Sequence, residues 1–248
     1  FRSEDIVKFS PSEMKNTRRK MQIVFQDPYS SLNPRLSVSE IIAEPLQVNR
    51  LYKTQSECEN RVKEVMDIVG LEERLISSYP HELDGGRRQR IGIARAITMN
   101  PEFIVLDEPV SALDVCIQAQ ILNLMNKLQE KFGLTYLFIS HNLSVVKHVS
   151  DRIAVMYLGK IVELADYNTI FKNPLHPYTK ALLSAIPIPK VNIKVDRIIL
   201  EGDVPSPINP APGCRFYGRC SYRKEICKNQ MTDLRDVGNE HYVACHII

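Results

Sequence analysis

The chain has 248 residues, of which 25% are charged and 44% hydrophobic, and carries a net charge of +3. That length can bury one sizeable core plus an appendage, and the composition is near ordinary for globular domains. So small a positive charge excludes nucleic acid as a partner unless a basic cluster exists; the nearest one, Lys15 to Lys20, is interrupted by polar residues and reads as a solvated face.

No apolar run approaches the roughly 18 residues of a membrane helix. In chain order, Met21-Gln22-Ile23-Val24-Phe25 predicts a strand closed by Gln26-Asp27-Pro28, and residues 37–47 predict a short helix. Thr54-Gln55-Ser56-Glu57 predicts a capping box for a helix stopping at Gly70, with Val62, Val65, Met66 and Val69 on one face. Leu83-Asp84-Gly85-Gly86-Arg87-Arg88-Gln89-Arg90 precedes a second helical run. Its two glycines let backbone N–H groups converge on an anion at the positive end of that helix.

Phe103-Ile104-Val105-Leu106 then runs into Asp107-Glu108-Pro109. A short apolar run between Pro101 and Pro109 predicts a buried strand of a parallel sheet, whose end is where such sheets bind ligands. Two carboxylates there can divide labour: Asp107 holding the hydration shell of Mg²⁺, Glu108 orienting or deprotonating a water. The plain alternative is an exposed acidic junction. Asp114 predicts the cap of a helix burying Ile117, Ile121, Leu124, Met125 and Leu128 and ending near Gly133. Leu134 to Ser140 predicts a strand closed by His141, and Ile153–Tyr157 with Lys160–Leu164 a hairpin about Leu158-Gly159. Pro177 predicts the first turn of a helix, and the prolines between 186 and 213 predict an irregular connection.

Gln26, Asp107 with Glu108, and His141 thus close three separate apolar strands, whose ends converge in a doubly wound sheet. At these residues the chain resembles the ATP-binding subunits of ATP-binding-cassette (ABC) transporters. Gln26 matches the Q-loop, Leu83–Arg90 the signature motif, Phe103–Glu108 Walker B, Ser111–Asp114 the D-loop and His141 the switch histidine. The segments from Gln26 to Pro34, Asn173 to Leu183 and Leu200 to Pro210 resemble the dipeptide/oligopeptide importer branch, in wording that nickel importers share.

The resemblance implies an α/β, P-loop NTPase-like ABC ATPase fold, a mostly parallel sheet with helices. It implies a partial ATPase domain over 1–165, with a helical subdomain about 37–100, and a C-terminal extension over 166–248 with a four-cysteine motif about 200–248. It implies ATP hydrolysis coupled to import of di- or oligopeptides. Glu108 would be the general base or water-orienting group, Asp107 would hold Mg²⁺, Gln26 would complete the Mg²⁺ and water environment, and His141 would bond the γ-phosphate. Asp84, Gly85, Gly86 and Asp114 would meet nucleotide in a head-to-tail pair. The implied partners are a second ABC ATPase subunit, expected to be a paralogue, transmembrane permease subunits and, indirectly, an extracellular solute-binding protein, with the chain peripheral at the cytoplasmic face of the membrane. An ABC-type ATPase of repair or translation would leave the 173–183 segment and the cysteine tail unexplained.

Two departures and one extra feature qualify this. No G-x-x-x-x-G-K-[S/T] loop occurs. The expectation is a chain lacking the P-loop by N-terminal truncation, against a genuinely P-loop-less protein, and in both cases one inactive alone. The alternative is a non-catalytic remnant, or a metal-binding partner protein, without ATP turnover. Asp84 stands where the family has serine; two like charges at about 4 Å cost about 4 kcal/mol at an effective dielectric near 20, so a weakened site is expected, partly offset by Arg87 or Arg88, against simple tolerated drift. Cys214, Cys220, Cys227 and Cys245 are spaced C-x5-C-x6-C-x17-C, and four thiolates suffice for zinc or an iron–sulfur cluster. The tail from Gly213 to Cys220 resembles a motif associated with a [4Fe–4S] cluster, so the resemblance implies that cluster, with Zn²⁺ as the alternative. Cys58 and Cys116 read as ordinary residues, and His81, His148, His176, His241 and His246 as surface or locally bonded ones.

Overall fold

Three short strands whose carboxyl ends lie level build the sheet of the N-terminal half. In the computed structural model, residues 1–187 and 197–248 are described; part of the expected irregular connection therefore lies outside the described residues. They fall into two compact units, Phe1–His141 and Asn142–Ile248.

In the first unit, helix α1 (Pro11–Lys20) is opened by a capping box of Ser10 and Glu13 and leads into β1 (Met21–Val24). A short helix α2 (Pro28–Ser31) follows, capped by Asp27. Then come α3 (Val38–Asn49), α4 (Gln55–Ile68) and α5 (Gly85–Ile97). The Thr54–Glu57 capping box forms as the sequence predicts, Thr54 Oγ1 accepting the Glu57 N–H at 3.2 Å. Strand β2 (Phe103–Asp107), helix α6 (Val115–Phe132) and strand β3 (Thr135–Ile139) complete the unit. Gly133 ends α6 in the left-handed conformation, which glycine adopts without a Cβ penalty.

The sheet is parallel in the order β1-β2-β3, with Val24 beside Leu106 and Leu106 beside Phe138. Parallel pairing follows from the helices that intervene between successive strands. Val24, Ile104 and Leu106 are buried together with Ile121, Leu124, Met125 and Leu128 of α6. The Tyr136 hydroxyl ties β3 to α6 by donating to the Met125 carbonyl at 3.0 Å. Helix α5 packs on β1, α2, α3, α4 and α6, so the Asp84-Gly85-Gly86 loop is mounted on the most connected helix of the unit.

The second unit holds α7 (Leu143–Val149), the hairpin β4 (Arg152–Tyr157) and β5 (Lys160–Asp166), α8 (Tyr167–Lys172), α9 (Pro177–Ser184), α10 (Ile226–Asn229), β6 (Arg235–Asp236) and β7 (Tyr242–Val243). Its sheet is antiparallel, ordered β4-β5-β7-β6. Leu158 and Gly159 both take positive φ, the requirement of a tight mirror-image hairpin turn. The core gathers Ile153, Val155, Tyr157, Val162, Ile170 and Phe216, with Tyr157 edge-on to Phe216 at 5.2 Å between ring centroids. No helix among the described residues is long and apolar enough to cross a membrane.

Candidate functional site

Gln26 lies just past β1, Glu108 directly past β2 and His141 just past β3. The three side chains meet: Gln26 Nε2 donates to Glu108 Oε2 at 2.9 Å, and His141 Nδ1 lies 3.0 Å from Glu108 Oε1. A carboxylate can only accept, so in this contact His141 carries its proton on Nδ1 and keeps Nε2 for another partner. Glu108 is held from the backbone side as well. Its N–H donates to the Ile139 carbonyl at 3.0 Å, and its own carbonyl accepts the Ser111 N–H at 3.2 Å and Ser111 Oγ at 3.0 Å. Its φ is +45°, a left-handed conformation unfavourable to a residue with a side chain and held here by those bonds. Such strain gathers at functional positions. The Glu108 side chain is 23% exposed and His141 73% exposed, so the carboxylate is recessed and the imidazole reaches outward. Asp107 ends β2 beside Ile139.

This arrangement suits a water-activating centre. A carboxylate whose two oxygens are fixed by an amide and an imidazole can orient or deprotonate a water without first reorganising. The donor set of Asp107, Glu108 and the Gln26 amide oxygen is all hard oxygen, the chemistry Mg²⁺ takes.

Asp84, Gly85, Gly86 and Asp114 form a second group. Asp84 caps α5, its Oδ1 accepting the Arg87 N–H at 2.8 Å. A Cβ on Gly86 would stand 2.8 Å from Ile117 Cγ2, so a glycine here is what lets the start of α5 lie against the start of α6. Asp114 caps α6 by accepting the Ile117 N–H at 3.0 Å.

The iron–sulfur expectation is corrected. Cys214, Cys220, Cys227 and Cys245 do line one cavity, together with His176 and Phe216, but its volume is only about 10 Å³. Among the described residues no three His, Cys, Asp or Glu side chains group so as to hold a metal ion. The cysteines are free thiols, and burial pushes the Cys214 and Cys220 thiols up, away from the thiolate that a metal requires. Neither the [4Fe–4S] cluster nor the Zn²⁺ alternative finds support in this packing.

Sequence reasoning missed the environment of two histidines. Glu163, fully buried on β5, accepts the backbone N–H groups of Leu175 at 2.7 Å and His176 at 3.0 Å, and pairs with His241 Nε2 at 2.7 Å. Both imidazoles are buried, and burial lowers the His176 pKa to about 4 against the opposing pull of Glu163. A lone carboxylate within an apolar strand was the available signal, because a buried charge requires partners.

Residues 1–111 match the ABC transporter family, and residues 162–227 match the family described as oligopeptide/dipeptide transporter, C-terminal region. The whole chain is 52% identical to the oligopeptide transport ATP-binding protein AppF of Bacillus subtilis and covers 76% of it. Over 96% of its length it is 50% identical to the oligopeptide transport ATP-binding protein OppF of Haemophilus influenzae, covering 72% of that protein. Among solved structures, the chain is similar to the dimeric post-hydrolysis state of the ATP-binding cassette MJ0796 bound to ADP and Pi, at 31% identity and a TM-score of 0.57 over 64% of this chain and 68% of that one. It is also similar to cbiO1 of Clostridium perfringens, part of the ABC transporter complex cbiONQ, at 26% identity and a TM-score of 0.60 over 67% of this chain and 65% of that one.

Proposed function

This chain belongs to the family of ATP-binding subunits of oligopeptide/dipeptide ABC transporters, and from that premise we propose that its Gln26–Glu108–His141 centre drives peptide import by hydrolysing ATP. The observation that carries the reading is the Glu108 carboxylate, fixed through both oxygens at the junction of three strand ends. In-line attack on a γ-phosphate needs an aligned water and charge neutralisation more than covalent help. Glu108 aligns the water and draws off its proton. His141 presents Nε2 outward to the γ-phosphate, and its tie to Glu108 makes the two groups act together. With its own Nε2 donating to Glu108, Gln26 would offer its amide oxygen, and Asp107 its carboxylate, as hard ligands for Mg²⁺. Mg²⁺, when bound there, neutralises phosphate charge.

The same reading makes the subunit one of a head-to-tail ATPase pair, with the Asp84–Gly86 loop and Asp114 facing the partner's nucleotide. It works with transmembrane permease subunits and, through them, an extracellular solute-binding protein. The partner ATPase is a paralogue by family analogy, and the site of action is the cytoplasmic face of the membrane. The 248 residues contain no G-x-x-x-x-G-K-[S/T] loop; these residues by themselves therefore lack the backbone cradle and lysine for the β- and γ-phosphates, and we expect no ATP turnover from them alone. The recessed and strained Glu108 gives no support to a remnant without turnover in the assembled transporter. Proteoliposomes containing the assembled transporter test the proposal: labelled oligopeptide should accumulate only with Mg·ATP and the solute-binding protein present. Uptake of nickel and not peptide, or uptake indifferent to ATP, would refute it.

A further inference from the structure

Helix α2 begins two residues after Gln26, and two arginines of α5 hold it. The Arg88 guanidinium carbon lies 3.6 Å from the centroid of the Tyr29 ring. The same side chain donates from Nε to the Pro80 carbonyl at 2.6 Å. Arg88 is 5% exposed, and its buried Nη1 has no hydrogen-bond partner among the described residues. The face of the Tyr29 ring is therefore a principal compensation for a desolvated cation. Two turns along α5, Arg95 Nη1 donates to the Ser31 carbonyl at 2.8 Å, anchoring the other end of α2. Pro80 opens the 3-10 turn Pro80–Glu82, which runs through Leu83 into Asp84. One guanidinium thus touches both the segment that follows Gln26 and the segment that precedes Asp84-Gly85-Gly86. Tyr29 is itself 66% exposed, so the ring contributes little to the core beyond its contact with Arg88.

We propose that Arg88 is a positioning residue that links the two nucleotide-facing loops. It ties the Gln26 loop, through the Tyr29 ring, to the Asp84–Gly86 loop, through Pro80, so that a shift of Gln26 on its own nucleotide is carried to the loop facing the partner's. This rests on the nucleotide reading of Gln26 given above. The flat guanidinium is required: its edge bonds Pro80 while its face stacks on Tyr29, and a lysine ammonium cannot do both.

Hydrogen–deuterium exchange on the assembled transporter, with and without Mg·ATP, tests the link. In the unsubstituted protein nucleotide should slow exchange over both 26–32 and 83–88. Tyr29→Ala, at a position 66% exposed, should keep the protection of 26–32 and reduce that of 83–88 about fivefold, at the low end of measured couplings between sites. Arg88→Lys should do the same, and Tyr29→Phe, which keeps the ring, should restore both responses. Protection of 83–88 that survives in Tyr29→Ala and Arg88→Lys alike would overturn the proposal. Absence of nucleotide protection at 26–32 in the unsubstituted protein would instead remove the nucleotide reading of Gln26, and the link with it.

Discussion

Asp84 is bonded to Arg87 twice: its Oδ1 accepts the Arg87 backbone N–H at 2.8 Å, and its Oδ2 lies 3.3 Å from Arg87 Nη1. The carboxylate is thereby turned into the cap of its own helix and partly neutralised, while Arg87 is shared with Glu72 at 3.7 Å. On the head-to-tail reading proposed above, this reduces the like-charge penalty of Asp84 against a partner's γ-phosphate, but a carboxylate still has no proton to donate. Asp84→Ser in the assembled transporter is predicted to raise the ATPase rate about tenfold, or about 1.4 kcal/mol in the barrier, with little change in stability because serine caps nearly as well. Steady-state phosphate release checks this; an unchanged rate would make Asp84 a tolerated substitution.

His176 sets an acid limit on the C-terminal unit. A base whose pKa is depressed to about 4 in the fold binds its proton more readily when unfolded. Stability is full above the ordinary value near 6.5 and falls as pH drops toward 4, by about 2 kcal/mol at pH 5. His176→Asn keeps an acceptor for the Tyr178 N–H, which His176 Nδ1 takes at 3.1 Å, and removes the titration. Urea midpoints at pH 7.5 and pH 5 are predicted to converge for the variant relative to the natural chain.

Gly213 is the tightest glycine in the molecule. A Cβ there would stand 2.2 Å from the Lys228 carbonyl oxygen and 2.4 Å from that of Cys227, and backbone cannot yield as a side-chain tip can. The Cys214 N–H bond to the Cys227 carbonyl at 2.8 Å fixes the two segments together. Gly213→Ala is predicted to destabilise the C-terminal unit by about 3 kcal/mol, read as an earlier thermal transition, while Gly218→Ala, where a Cβ meets nothing within 4 Å, leaves it in place.

Much of the first unit was legible because its signals are local. Apolar runs ending in polar residues marked β1, β2 and β3, and the Thr54–Glu57 box marked the start of α4. The same kind of box at Ser10 and Glu13, with Pro11 at the first position, marks α1; reading Lys15 to Lys20 only as a charged face passed over the helix that ends there. Strands β6 and β7 were not legible, since two-residue strands exist only through pairing: β7 with β5, where Glu163 meets Val243, and β6 with β7, where Arg235 meets Val243. At the site, sequence could bring Gln26, Glu108 and His141 to three strand ends, but not the convergence of amide and imidazole on one carboxylate, which depends on strand register. The cysteine spacing misled, because four cysteines near in sequence say nothing of whether their side chains leave room for a metal.

Single-turnover hydrolysis by the assembled transporter carrying Glu108→Gln in this subunit tests the central claim most directly. Glutamine keeps the size of Glu108 and its acceptor oxygen but cannot take a proton. The account predicts Mg·ATP bound as tightly as in the natural protein, with cleavage at this site slowed at least about 100-fold, the scale of general-base loss. Cleavage at the natural rate in the variant would contradict the assignment of Glu108, and with it the catalytic centre proposed for this chain.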